Sequence, residues 1–214
     1  MYIRVGSRTI IDQPRGPIMP LNPRPGEQYT IRRKFITLFG ASFHIYGPDG
    51  QVVGYCRQKA FKLREDIRLF TDESRSTEIL VMKARQIIDF GATYDVTLSG
   101  GRSIGSLRRK GFKSLLRDSW MIFSASGAEV GRVQEESGGL AILRRLSDGL
   151  VSLISPQTFH VECDQGRRIA TLRSHRNPFV HRISVAIHAD HPDLDELMVL
   201  ASGILLAAID GRQS

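Results

Sequence analysis

The sequence predicts an all-β fold in which a closed antiparallel barrel of about twelve strands encloses a buried hydrophobic C-terminal α-helix. Three observations predict it. A hairpin-like unit recurs along the chain, strand-like segments follow one another at about the 8–12-residue spacing of barrels and sandwiches, and the last apolar segment has no polar face. A chain of 214 residues buries one sizeable core, which favours a single domain over residues 29–214 after an N-terminal arm.

The arm, residues 1–28, is rich in proline: five of the nine prolines lie between positions 14 and 25. This composition favours an extended, polyproline-like segment. We expect the arm to be solvated or laid on the barrel, with a docking peptide for a partner as the minority alternative. Its first residues carry Arg4 and Arg8 but no apolar run of the length that a signal peptide needs, so export is not expected.

The recurring unit is a β-hairpin that contains glycine, two free positions, Val or Ile, and then Gly or Ala. Four copies fit this pattern: GQVVGYC from Gly50, GRSIGSL from Gly101, GAEVGRV from Gly127 and GRRIATL from Gly166. An aromatic residue lies seven positions before each glycine, at Phe43, Tyr94, Trp120 and Phe159, and Ile or Val lies five before it, at Ile45, Val96, Ile122 and Val161. Two such residues two apart fill one face of the first strand, and the glycine makes the turn.

Further strands complete the count. A degenerate fifth copy starts at Ile67, with Ser74 in place of the glycine. The segment YTIRRKFITL precedes the first copy and PFVHRISVAIH follows the last, and both have strand-like patterns. The apolar run LAILRRLSDGLVSLI, before the last copy, is long enough for another strand pair. Together these segments give roughly a dozen strands.

One window of the repeat, GRSIG from Gly101, also fits the G-x-S-x-G turn that presents the nucleophilic serine of α/β-hydrolases. Ser103 takes the place that Val52, Glu129 and Arg168 take in the other copies, so it occupies a free hairpin position. The hydrolase turn also needs a helix directly after the serine, and LRRKGFK does not predict one. We therefore expect no catalytic residue, no cofactor and no enzymatic activity.

The C-terminal segment predicts a helix over about residues 193–210. Asp193 and Glu196 form a capping-box-like pair, and the 13 residues from Leu197 to Ile209 are apolar with little relief. They fall short of the roughly 20 residues of a bilayer span, so the segment is typical of a helix surrounded by protein. We expect small residues on the strands to let the backbone approach this helix, at Gly54, Gly105, Gly131 and Ala170.

These hairpin units resemble the LURP-one-related family, which belongs with the phospholipid scramblases to the Tubby C-terminal-like group. Basic segments such as RRKFITLFGASF, RQKAFKLREDIRLF and RRKGFKSLLRDSW join the units, and an apolar helix ends in LLAAID. The resemblance covers about residues 29–211 and implies a twelve-stranded barrel around a buried helix. It also implies phosphoinositide binding or membrane association, because these are properties of the wider group, and it implies no catalytic triad.

The charge is strongly basic. The net charge is +8, and 24 of the 30 Lys and Arg residues are Arg, which binds phosphate and carboxylate well. The basic joints between hairpins are expected to gather at one barrel rim and to bind anionic phospholipid head groups. The candidates are Arg32, Arg33, Lys34, Arg57, Lys59, Lys62, Lys83, Arg85, Arg108, Arg109, Lys110 and Lys113. The alternatives are a nucleic-acid-binding regulator that uses the same charges, and a scaffold protein on which they only keep the strands soluble.

Metal binding is not expected. The acidic cluster of Asp190, Asp193, Asp195 and Glu196 lacks the spacing of a calcium loop, and helix capping explains most of it. His188 and His191 have no cysteine near them in the sequence, which argues against zinc. Cys56 and Cys163 are typical of small apolar residues in a reducing compartment, so we expect a cytoplasmic protein, peripheral at a membrane if it binds lipid. The sequence does not determine the oligomeric state, and a monomer is the default expectation.

Overall fold

The computed structural model describes residues 21–37, 40–59, 66–85, 92–110, 119–136, 157–176 and 181–210. They form twelve strands and one helix. The strands are β1 (Gln28–Thr37), β2 (Gly40–Tyr46), β3 (Val52–Lys59), β4 (Asp66–Phe70), β5 (Glu78–Ala84), β6 (Thr93–Leu98), β7 (Ser103–Arg109), β8 (Ser119–Ser124), β9 (Glu129–Glu135), β10 (Gln157–Cys163), β11 (Arg168–Arg176) and β12 (His181–Ile187). The helix, α1, is Glu196–Asp210.

The twelve strands form a closed antiparallel barrel in which each strand pairs with its neighbours along the chain and β1 pairs with β12. The predicted fold class is therefore confirmed. The hairpin turns lie at one end of the barrel, which we call the turn rim, and we call the opposite ends of the strands the joint rim. β9 pairs directly with β10, so the barrel closes without the predicted extra strand pair, whose segment lies outside the described residues.

The repeated Val or Ile before Gly or Ala marks a β-bulge. In the first hairpin Ile45 pairs with Gly54 and Tyr46 with Val52, so Val53 is the extra residue. The same register shift occurs in the other hairpins at Ile104, Val130 and Ile169, and at Ile79 in the degenerate copy. A bulge adds twist and bends the strand, which helps a sheet to close into a barrel. The sequence repeat therefore encodes a repeated bend.

Helix α1 is buried inside the barrel, as predicted. Every described side chain from Leu197 to Ala208 is buried, including Ser202, whose hydroxyl donates to the carbonyl of Met198 at 2.8 Å. The predicted cap is wrong in detail. Asp195, not Asp193, accepts the amide of Leu197 at 3.0 Å, so the helix starts later than expected. Within the described residues no helix is long and apolar enough to cross a membrane.

The small residues of the strands have a different reason from the predicted one. A Cβ at Gly131 would lie 2.5 Å from the carbonyl oxygen of Glu162, and one at Gly54 would first meet Leu69, so both glycines face neighbouring strands. Of these three glycines, only Gly105 also faces the helix, at Met198, as predicted. The small residue that lets helix and strands approach closely lies on the helix itself. A Cβ at Gly203 would lie 2.8–3.2 Å from side chains of the barrel strands, those of Val185, Ile31 and Leu172.

Candidate anion-binding surface

The predicted cations divide into several groups. The alternation of β1 and β7 places Arg33 and Arg109 on the inner face, at the mouth of the joint rim. The Nε atom of Arg33 is buried, and this burial lowers the pKa of its guanidinium. The guanidinium carbon of Arg109 lies 6.0 Å from the ring centroid of Trp120. These two side chains therefore belong to the barrel mouth rather than to its outer surface.

Arg85 faces outward but already has a partner. Its guanidinium binds the carboxylate of Asp95 through three hydrogen bonds of 2.7–2.9 Å. These hydrogen bonds raise the pKa of Arg85 above its ordinary value. Both side chains are about half exposed, so water screens the pair. The pair leaves little free charge for a ligand.

The remaining predicted cations differ in exposure and in whether the structure describes them. Arg32, Lys83, Arg108 and Lys110 are exposed, and Arg57 is half-buried on the outer face of β3. Lys34 and Lys59 fall on strand residues whose side chains are not described. Lys62 and Lys113 lie outside the described residues. The described cations do not form one ring, because the inward and the ion-paired side chains separate the others.

The structure gathers basic residues on the outer face of β11, β12 and β1. His175 pairs in register with Arg182, and Arg182 pairs with Arg32, so residues far apart in sequence become direct cross-strand neighbours. Arg173 lies two positions before His175 and faces the same side. We call these four residues, Arg32, Arg173, His175 and Arg182, the basic wall. Arg182 and Arg32 form a cross-strand pair of like charge, which is unfavourable, so the wall favours an anionic partner.

Among the described residues, no carboxylate pairs with an arginine of the basic wall; the carboxylate of Glu73 lies 2.6 Å from His44, the neighbour of Arg32 on β2. The strands β11, β12, β1 and β2 contain no aspartate or glutamate. In the part of the chain that the structure describes, Arg32, Arg173 and Arg182 are exposed and make no ion pair. Burial, followed by the positive charges of Arg182 and Arg173, lowers the pKa of His175. Burial and, after it, the neighbouring arginines therefore both disfavour a charged imidazole at this position.

A separate cleft of about 400 Å³ lies beyond β2, on the outer face of β3 and β4. We call it the arginine cleft; it is lined by Arg57, Arg68, Phe70, Ser74, Arg75 and Asp66. Arg68 is held by Asp66 at 2.9 Å and by Glu78 at 2.8 Å, and the hydrogen bond to Asp66 is the main reason that its pKa is raised.

The other two arginines of the arginine cleft are free to bind a ligand. Arg57 pairs in register with Arg68, so two guanidinium groups are cross-strand neighbours. Arg75 lies in the turn with a positive φ of 61°, which is uncommon for a residue other than glycine. Neither Arg57 nor Arg75 has an ion-pair partner within the described ranges. Both line the same cleft, so it offers an anion two guanidinium groups that are not neutralised.

Sequence reasoning missed most of this surface. Of the basic wall it named only Arg32, and of the arginine cleft only Arg57. The outward parity of Arg173, His175 and Arg182 could have been read from the strand patterns. Their position beside Arg32 could not, because it depends on the closure of β12 onto β1.

The structure also bears on the predicted turn at Ser103 and on the prediction against zinc. Ser103 is exposed and pairs with Thr97 at the start of β7, so it occupies a hairpin position, as predicted, and not a strand-to-helix turn.

The reasoning against zinc is wrong in one respect, because Cys163 lies near His191 in space. Ligand atoms of Cys163, Asp164 and His191 all lie within 4.8 Å of one another.

Comparison with family models matches residues 27–207 to one family, described as LURP-one-related. The match spans the barrel from the start of β1 to within the helix. Searches of the curated proteins and of the solved structures return no significant match.

Proposed function

The chain belongs to the LURP-one-related family, and we propose that it is a non-enzymatic binding module whose basic wall engages the anionic head groups of phospholipids. The observation that carries the proposal is the row of His175, Arg182 and Arg32, which stand side by side on strands without a carboxylate. Each basic residue near an anionic membrane surface contributes about 1 kcal/mol. A few such residues on one face therefore give measurable binding.

The arginine cleft gives this surface a place for a single phosphate group. Arg57 and Arg75 supply unpaired guanidinium donors, which bind phosphate oxygens in a bidentate manner. The guanidinium of Arg68 is held in place by the carboxylates of Asp66 and Glu78 and forms a positively charged part of the lining. The exposed predicted cations Lys83, Arg108 and Lys110 lie on β5, on β7 and directly after β7, and would add only long-range attraction.

Nucleic acid is the competing anionic partner, and the aromatic residues weigh against its single-stranded form. The repeat aromatics Phe43, Tyr94, Trp120 and Phe159 are all buried inside the barrel. Single-stranded binders use exposed rings as stacking platforms for bases. Within the basic wall no ring besides the imidazole of His175 is available. A membrane surface needs no such platform, so the charges alone suffice.

The test compares two double variants that each remove two positive charges. Arg32→Ala/Arg182→Ala changes the basic wall, and the matched control Arg85→Ala/Arg132→Ala changes residues that already pair with Asp95 and Glu162. Binding to anionic and to neutral liposomes is measured by co-sedimentation at one salt concentration. We expect the wall variant to bind anionic liposomes about 30-fold more weakly, which is about 2 kcal/mol. The control should change by less than about threefold.

The same preparations are tested with duplex and single-stranded DNA at the same salt concentration. Equal loss of liposome binding in both double variants would show that only net charge matters and would contradict a specific wall. Tighter binding to DNA than to anionic liposomes, with a steep salt dependence, would favour the nucleic-acid regulator. If neither ligand binds, the wall is a solvated surface and the proposal is wrong.

A further inference from the structure

We propose that Cys163, Asp164 and His191 form a binding site for a thiophilic divalent metal ion of the zinc class. The three residues supply a thiol sulfur, a carboxylate oxygen and an imidazole nitrogen, which are the three ligand types that zinc uses in proteins. The site lies at the turn rim, where the chain leaves β12 and enters the barrel as α1. It is separate from the basic wall and does not depend on the proposed lipid binding.

The geometry of the three side chains fits a single ion. Their ligand atoms lie within 4.8 Å of one another, and the Nε2 atom of His191 lies 3.6 Å from the Oδ1 atom of Asp164. Two ligands of a tetrahedral zinc ion, each about 2.0–2.1 Å from the metal, are about 3.4 Å apart. Small side-chain movements would therefore bring all three into coordination distance.

The backbone already holds these residues in place. Cys163 is the last residue of β10, and its amide donates to the carbonyl of Arg167 across the turn at 3.0 Å. The amide of Asp164 donates to the carbonyl of Val130 at 3.2 Å. The guanidinium of Arg167 donates to the carbonyl of Asp190 at 3.0 Å, which ties the hairpin turn to the segment before the helix.

The burial of the site favours a borderline-soft ion over a hard one. Cys163 is 2% exposed and the side chain of His191 is 7% exposed, while that of Asp164 is 55% exposed. The metal would thus be enclosed on the sulfur and nitrogen side and open to water on the carboxylate side. Calcium needs six to eight oxygen ligands, and this group offers one carboxylate and a thiol. Three protein ligands leave one position for water.

One existing contact changes when the metal binds. The Nδ1 atom of His191 accepts the amide of Asp193 at 3.3 Å, so Nε2 carries the ring proton and faces Asp164. Coordination through Nε2 places the proton on Nδ1 and gives up this long hydrogen bond. The thiol proton of Cys163 and the displaced hydration waters leave as the metal binds. The metal would then join β10 to the segment that leads into α1, and so stabilise the folded chain.

The experiment uses the full chain without a polyhistidine tag or chelator, in the reduced state. Zn²⁺ is titrated by calorimetry, and Co²⁺ is used as a spectroscopic probe, because a thiolate ligand adds a charge-transfer absorption in the near ultraviolet. We expect about one Zn²⁺ per chain, this absorption with Co²⁺, a higher melting temperature with Zn²⁺, and no such shift with Ca²⁺.

Three variants make the test specific. Cys163→Ala should lose the charge-transfer absorption and bind Zn²⁺ about 100-fold or more weakly. Cys56→Ala is the matched control, because Cys56 is fully buried in the barrel away from the site, and it should retain both. Asp164→Asn, at a half-exposed turn position, tests the carboxylate without risk to the core and should weaken binding by about tenfold or more.

The proposal is wrong if the wild-type chain binds no Zn²⁺ at micromolar concentration, since the three residues then form only a polar contact beside a buried thiol. It is also wrong if folded Cys163→Ala or Asp164→Asn binds Zn²⁺ as tightly as the wild type. Should Cys163→Ala fail to give a cooperative melt, the Asp164→Asn result and the Co²⁺ spectrum of the wild type decide the question.

Discussion

The inner and the outer face of the same strands have different roles, the first in folding and the second in binding. On β1 the side chain of Ile31 is fully buried, whereas that of Arg32, the next residue, is exposed. The same alternation runs around the barrel, because successive side chains of a strand point to opposite faces. The inner face contacts the helix and neighbouring strands, so its residues determine whether the chain folds. The outer face determines what the folded chain attracts.

The outer face itself has two kinds of surface. On β4 and β5 and on β9 and β10, arginines meet carboxylates, as in the pairs of Arg68 with Asp66 and of Arg132 with Glu162. The strands β11, β12 and β1, which carry the basic wall, contain no carboxylate residue. Net charge does not reveal this difference. Changes to the inner face should therefore cost much stability, and changes to the outer face should cost little stability but change binding.

The largest effect is expected from removal of the helix. Deletion of residues 194–214 leaves a cavity the size of α1, far larger than the single-side-chain cavities that already cost about 2–5 kcal/mol. The loss exceeds the whole stability of a typical domain, so the truncated chain should not fold. Circular dichroism and thermal unfolding check this, with deletion of residues 211–214 as the control. A soluble truncation that melts cooperatively would show that the barrel does not need its helix.

A graded effect is expected where glycine approaches a neighbouring strand. Gly105 has a φ of +148°, and an added Cβ would lie 2.2 Å from the carbonyl oxygen of Phe123, so Gly105→Ala should cost about 3 kcal/mol. That lowers the melting temperature by about 6–12 °C. At Gly54 the nearest atom is the flexible Cδ1 of Leu69 at 3.1 Å, so Gly54→Ala should cost about 1 kcal/mol.

The outer face of the same strand provides the control for these substitutions. Ser103 begins β7 and is exposed, so Ser103→Ala should leave the melting temperature unchanged within about 1 °C. The same variant should leave any esterase activity unchanged. Equal destabilisation by Ser103→Ala and Gly105→Ala would contradict the division between the two faces.

A smaller effect concerns His175 and pH. Burial and the charges of Arg182 and Arg173 lower its pKa, so the folded chain keeps the imidazole neutral at a pH where the unfolded chain takes up a proton. Stability is therefore lost as the pH falls through about 6.5, the ordinary value. We expect His175→Gln to lose less stability than the wild type between about pH 7 and 5.5, as measured by denaturant unfolding.

The arginine beside His175 sharpens this prediction. Arg182→Ala removes one of the two charges, so the pKa of His175 should rise towards its ordinary value, as followed by NMR titration. Arg85→Ala, on another part of the outer face, should leave that pKa unchanged. If Arg182→Ala has no effect on it, the cations of the basic wall do not act on one another as the structure indicates.

A small effect on stability is also expected at the exposed ion pair of Arg85 and Asp95. Their side chains are 57% and 41% exposed, and such pairs contribute about 0–1 kcal/mol. Arg85→Ala should lower the melting temperature by no more than about 4 °C in low salt and by less in high salt. A loss as large as that at Gly105 would mean that this part of the outer face is as important for folding as the inner face.

Much of the fold could be predicted from the sequence because the hairpin unit repeats its local rules. The aromatic and β-branched residues, such as Tyr94 and Val96, fix which face of a strand is buried, and the glycine after them fixes the turn. The pattern of the repeat does not by itself predict the β-bulge, although the bulged residue belongs to the repeat. A bulge is a property of two paired strands, and the pattern of one strand does not show the partner's register.

The candidate site could be predicted only in part. The basic joints were visible as charge runs, but a run does not show that Arg33 and Arg109 face inward or that Arg85 binds Asp95. Cys163 and His191 are 28 positions apart in the sequence, and only the fold brings their side chains together. Spacing along the chain is therefore a poor guide to ligands contributed by different elements.

The sequence by itself determined the barrel, its central helix and the alternation of its faces, because hydrophobic periodicity and turn residues act over a few neighbouring positions. Tertiary structure decided which charges meet. Closure of β12 onto β1 joins the two ends of the barrel sequence, so Arg182 faces Arg32 without a carboxylate between them. Electrostatic interaction depends on distance in space, and that distance is set only when the strands are paired.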